Sequence, residues 1–273
     1  MALLLKSVET ARGPRWIGDA FRLYGRRPIG FTSLFMVFLF AAFLVAQVPL
    51  LGGLVQMMSL PLLSLGFMVA GQSVLLDGPV RPVQFIEPLR TDPARRRALL
   101  VLCLVYGVSA MVILLLADEL SNSAWGRLQL LLARGDSAQG EIDALLSEPG
   151  VAWAVLSATA LGSLLSVPFW HAPALVHWGG QGARQAMFSS TLAVWRSKGA
   201  FFTYMLAWMG VLLMFGLVTA IVFALLGAPQ LAGVIGVPAG LVFSTVFYLS
   251  VLFTFNDSFG GALPPPPTRP TAL

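Results

Sequence analysis

The chain has 273 residues, 57% of them hydrophobic and only 11% charged, with 17 Lys and Arg against 12 Asp and Glu. A water-soluble domain of this length carries about a quarter charged residues, so this composition, with a mean hydropathy of +0.82, excludes a single soluble globule. One Cys and two His exclude an internal disulfide and suit neither a structural zinc nor a redox centre, so no metal and no cofactor are expected.

Before Glu9 there is a single Lys and no apolar run of the roughly 7 to 15 residues that a cleavable signal needs, so none is expected. From Pro14 the pattern turns helical. Trp16, Ile17, Ala20, Phe21 and Tyr24 recur on one face, while Arg12, Arg15, Asp19, Arg22 and Arg26 fall on the other. This spacing predicts a helix lying flat among lipid headgroups with its rings toward the membrane and Arg27 just beyond it. The simpler alternative is a positive flank of the first span that happens to be helical.

Six apolar runs follow, near 29–51, 54–76, 98–117, 151–176, 200–226 and 230–255. A hydrocarbon core about 30 Å thick takes roughly 20 residues of helix, and no run shows the period-two alternation of a barrel strand. The expected fold class is all-α. The runs predict a polytopic integral membrane protein with six transmembrane helices in one domain over 1–256, amphipathic interfacial helices, and a disordered Pro-rich tail at 257–273. Every Lys and Arg except Arg127 and Arg134 falls on one side of this arrangement, including Arg95, Arg96, Arg97, Arg184, Arg196 and Lys198. Positive segments stay on the cytoplasmic side, so both termini are expected there. The loop 118–150 is then external, and its stretch from Glu141 to Glu148 predicts a short amphipathic helix.

Within the runs there is no Asp, Glu, Lys or Arg. Intramembrane ionisable groups mark sites, which leaves Gln47, Gln56, Gln72 and His171 as the best polar candidates, with Gln72 and His171 the pair at similar depth. Each lies a few residues from the cytoplasmic end of its span, so a hydrogen bond between them is an option. The competing reading of His171 is an interfacial imidazole satisfied by water or by a carbonyl that Pro173 frees. Trp178, beside His177, is expected at headgroup level. Gly236 and Gly240, four apart in the sixth run, follow a helix-packing pattern.

A second stripe, Met187, Phe188, Thr191, Leu192 and Trp195, stands 171 residues after the first, and Lys198 matches Arg27. The order suggests a duplicated elbow-plus-hairpin unit. Motifs for nucleophilic hydrolysis, zinc proteolysis and nucleotide binding are absent from the sequence, so an enzyme is not expected. The isoelectric point near 10 points to anionic membrane lipids and not to nucleic acid, because the cations flank spans instead of forming a separate module.

Three stretches carry a resemblance: Ala11 to Trp16 running to Pro28, Asp77 to Val80, and Phe169 to Trp178 continuing through Trp195 to Tyr204. The chain resembles an uncharacterised family of six-span bacterial inner-membrane proteins. The resemblance implies an inner-membrane location and no established activity. The leading expectation is a non-enzymatic envelope-maintenance, lipid-associated or assembly factor acting at the cytoplasmic headgroup layer. Arg12, Arg15, Trp16, Arg22, Tyr24, Arg26, Arg27, Arg95, Arg96, Arg97, Trp178, Trp195 and Lys198 would form its interface. The alternative is a small-solute or lipid permease or channel with a site near Gln72 and His171.

Overall fold

A computed structural model describes residues 4–49, 51–90, 92–121, 123–124, 126–127, 130–131, 139–228 and 231–260. The expected disordered run of prolines in the tail and the part of the external loop around Arg134 lie outside these residues. All regular structure among the described residues is helical. The elements are α1 (Gly13–Arg26), α2 (Pro28–Ala46), α3 (Gly52–Leu75), α4 (Pro93–Leu120), α5 (Gln139–Leu146), α6 (Pro149–Phe169), α7 (Ala172–His177), α8 (Ala183–Arg196), α9 (Lys198–Leu225) and α10 (Leu231–Phe259). Short 3-10 turns at Thr10–Arg12, Pro82–Phe85 and Glu87–Arg90 join them.

Helices α2, α3, α4, α6 with α7, α9 and α10 are the six runs long and apolar enough to cross a membrane. Proline opens α1, α2, α4 and α6 in the first turn, where its missing donor costs nothing. The third span begins earlier than its apolar run does, because Asp92 caps it by accepting from Ala94 N at 3.1 Å and Arg95 N at 3.3 Å. Arg95, Arg96 and Arg97 therefore sit on the first turns of α4. The sixth span runs on to Phe259, which places Asn256 and Asp257 on α10.

Helix α3 is the centre of the bundle and packs on α2, α4 and α10, while α4 in turn packs on α6. Helix α1 lies across α9 and α10. Burial is concentrated at one end: Phe31 and Leu34 on α2, Leu63 to Val74 on α3, Leu99 and Leu102 on α4, Ala200 to Trp208 on α9 and Thr245 to Phe259 on α10. That end holds the cation-rich segments. Apolar transfer does not drive association within lipid, so close van der Waals fit must hold the helices together. Gly107 shows such a fit, since a Cβ there would collide with Met58. On the opposite side Ala124, Leu145 and Val151 form a small separate cluster under α5, and Arg127 pairs with Glu148 at 2.8 Å.

Helices α9 and α10 meet each other only sparingly, although they are consecutive. Their halves away from the core stand apart. Gly236 and Gly240 have nothing within 4 Å of the position a Cβ would take, so the expected packing role is corrected. Gly13, Gly71 and Gly199, by contrast, are closely packed at the other end.

Candidate functional site

The first helix carries its charges and rings to a junction below the bundle. Trp16 is wholly buried, with its ring 5.4 Å from Phe201 and 5.8 Å from Tyr204. Its Nε1 donates to Asp257 Oδ2 at 2.7 Å, and the same oxygen accepts from Arg12 Nε at 2.6 Å. Arg12 also reaches Asp19 at 2.9 Å. Burial by itself would depress the Arg12 guanidinium, but the two carboxylates outweigh it and raise its pKa, so the charge is held. Trp16 is thus corrected from a headgroup ring to a protein-facing one. The reason is that the apolar stripe of α1 packs against α9 and α10. Gly13 permits this approach, because its backbone abuts Ala200 and Thr203. Tyr24 is half-buried and shares a hydrogen bond of 2.8 Å with Thr32 on α2. The segment before α1 is also tied down: Lys6 N donates to Ser258 O at 2.8 Å and Val8 N to Ser197 Oγ at 3.1 Å.

Around this junction Arg15, Arg22, Arg26, Arg27, Arg96, Arg97, Arg184, Arg196 and Lys198 are exposed. Arg22 pairs with Asp19 at 2.8 Å. Arg95 differs from its neighbours. It is half-buried and donates to His177 O at 3.0 Å, so it holds the C-terminal end of α7 as a packing contact and is not a free headgroup cation. Trp178 is half-buried with its ring 5.4 Å from Phe255.

Helix α8 presents the opposite arrangement from α1. It buries the small residues Ala186, Ser190 and Ala193 and exposes Phe188 and Trp195, each 70% accessible. Lys198 Nζ stands 5.4 Å from the Trp195 ring centre. The two stripes that match in sequence therefore face opposite ways, and Phe188 joins Trp195 as a ring available to the interface.

The fourth span breaks at Trp170 and His171, between Pro168 and Pro173. In an unbroken helix His171 N–H would bond to Val167 O. Here the Ser190 hydroxyl stands between them, accepting from His171 N at 3.0 Å and donating to Val167 O at 2.9 Å. The His171 ring is sealed among Phe201, Phe255 and Phe259, and its Nε2 bonds to Thr254 Oγ1 at 3.1 Å. Trp170 Nε1 donates to the same Thr254 oxygen at 3.1 Å. The His171 ring is thus bound to Thr254 and its backbone N–H to Ser190, and it is an interior residue instead of an interfacial one. Gln72 is half-buried on α3.

Sequence reasoning passed over Asp257, Ser190 and the α10 hydroxyls. Ser250, Thr254 and Ser258 recur every fourth residue, a polar stripe on an apolar helix that the pattern alone discloses. Tyr204 reaches the first of them at 2.6 Å. Among the described residues, no three of His, Cys, Asp and Glu come together as a metal site would require.

Over 267 aligned residues, 97% of this chain and 97% of the relative, the chain is 31% identical to a protein of Burkholderia thailandensis named as a probable inner membrane protein. No family model matches the chain. No solved structure matches it.

Proposed function

The chain belongs to the family of this Burkholderia thailandensis inner membrane protein, and we propose that it is a non-enzymatic, lipid-associated factor working at the cytoplasmic headgroup layer. It is a multi-pass inner membrane protein with six apolar helices. What carries the finer reading is one juxtaposition. The exposed arginines of α1 and α4 stand at the same end of the bundle as α8, whose Phe188 and Trp195 are bare beside Lys198. Arginine with exposed aromatic rings is the composition of an interfacial anchor. The retention of positive charge inside supports a cytoplasmic location for this end, with the anionic leaflet as its partner. A permease centred on Gln72 and His171 draws less support, because the His171 ring is enclosed by phenylalanines.

Replacing Arg22, Arg26 and Arg27 with Gln tests the proposal. Arg22 is already paired with Asp19, so most of the effect falls on Arg26 and Arg27. At about 1 kcal/mol per cation, binding to phosphatidylglycerol vesicles drops roughly thirtyfold. Unchanged binding and unchanged co-purifying anionic lipid would remove the basis of this reading.

A further inference from the structure

A cavity of about 140 Å³ lies where α3, α4, α6 and α10 meet, apart from the arginine collar and the enclosed histidine. Ser64, Tyr106, Ser166 and Tyr248 contribute hydroxyl-bearing walls, and Trp170 and Phe247 line it with rings. Pro61 is nine residues into α3 and Tyr248 eleven residues from the end of α10. At 1.5 Å per residue both are about 14 to 17 Å from a helix end, well inside the reach of a bilayer core about 30 Å thick.

Three properties of the cavity restrict its occupant. Its walls hold no charged side chain, so an ionised headgroup would be stranded at the depth where charge is most costly. No hydrogen bond among the described residues engages the hydroxyl of Ser64, Tyr106 or Tyr248. Donors at this depth are expensive when unmet, so an acceptor-bearing guest is favoured. The volume is close to the roughly 150 Å³ that accommodates one benzene-sized ring. The walls are also stiff: Tyr106 meets Phe169 edge-on at 5.1 Å, and Trp170 meets Phe247 edge-on at 5.8 Å.

Access comes from the side. Beyond the contacts of Trp170 with Phe247 and Thr254, helices α6 and α10 meet only sparingly, and Gly162 on α6 and Gly240 on α10 have nothing within 4 Å of a Cβ position. An alkyl tail can leave between them into the acyl layer. We propose that this cavity binds the head of a membrane-soluble quinone, with Tyr106 and Tyr248 donating to its carbonyl oxygens and the tail passing between α6 and α10.

The test uses the full chain in nanodiscs, titrated with a decyl-substituted benzoquinone and followed by quenching of tryptophan fluorescence. The expected result is saturable quenching, with the affinity of the Y106F/Y248F double variant weakened by about tenfold or more. The thermal midpoint of that variant is not lowered, because neither phenol has a protein partner to lose. Decylbenzene, which has the tail and ring without the carbonyls, fails to displace the quinone from the unaltered chain. Linear, unsaturable quenching overturns the proposal, and so does equal affinity in the double variant. Displacement by decylbenzene also overturns it, and that measurement decides the matter even if the double variant does not fold.

Discussion

Ser190 shows how one side chain on a surface helix governs a break inside a span. Prolines at 168 and 173 remove donors from the fourth span, and an unmet backbone group in an apolar interior costs several kcal/mol. The Ser190 hydroxyl supplies both an acceptor and a donor at the break, at 3.0 and 2.9 Å. Ser190→Ala should therefore destabilise the protein by about 1–3 kcal/mol, read as a lower midpoint of unfolding in mixed micelles. Thr191→Ala, on the exposed side of the same turn, should change it by less than roughly 0.5 kcal/mol. Equal midpoints for the two variants would show that the hydroxyl does not hold the break. The prolines were visible in the sequence as a discontinuity. Its partner was not, because Ser190 lies 19 residues away from His171 and nothing local marks it.

At the scale of the element, α1 and α8 separate amphipathic pattern from amphipathic use. Both are 14-residue helices before a span, and their apolar stripes align. Helix α1 turns its stripe into the protein, where Trp16 and Arg12 converge on Asp257. Helix α8 turns small residues inward and leaves Phe188 and Trp195 outside. The Asp257 junction is partly exposed, with side-chain accessibilities of 32% for Arg12 and 22% for Asp257. Its loss is therefore expected to cost roughly 1–3 kcal/mol, between the values for surface and sealed pairs. In Asp257→Ala, α1 should lift from the bundle more often, raising thiol labelling of Leu23→Cys by about tenfold. Native Cys103 is buried and contributes little background. A labelling rate that ignores Asp257 would mean that the apolar stripe alone seats the helix.

The molecule as a whole is asymmetric across the membrane. One end combines the packed core, the tied N-terminal segment and nearly all the arginines, whereas the other has separated helices and a small cluster around α5. The charge distribution predicts orientation directly. In intact cells a membrane-impermeant maleimide should label Glu119→Cys and spare Arg96→Cys until the inner membrane is permeabilised. The reverse pattern would invert the topology and detach the arginine collar from the anionic cytoplasmic leaflet.

Hydropathy and charge placement by themselves determined the helical class, the six spans and the side on which the cations gather. These follow from the bilayer acting as solvent on each segment separately: its thickness sets the span length, and its apolar interior requires the backbone to satisfy itself. Only the tertiary structure decided which way each amphipathic face turns. Trp16 went inward because α9 and α10 offered it a carboxylate and two aromatic rings, and Gly236 was left bare because its helix diverges from its neighbours. Such outcomes depend on contacts between residues distant in the chain, such as Arg12 with Asp257, and within lipid a helix face has no solvent preference that would announce them.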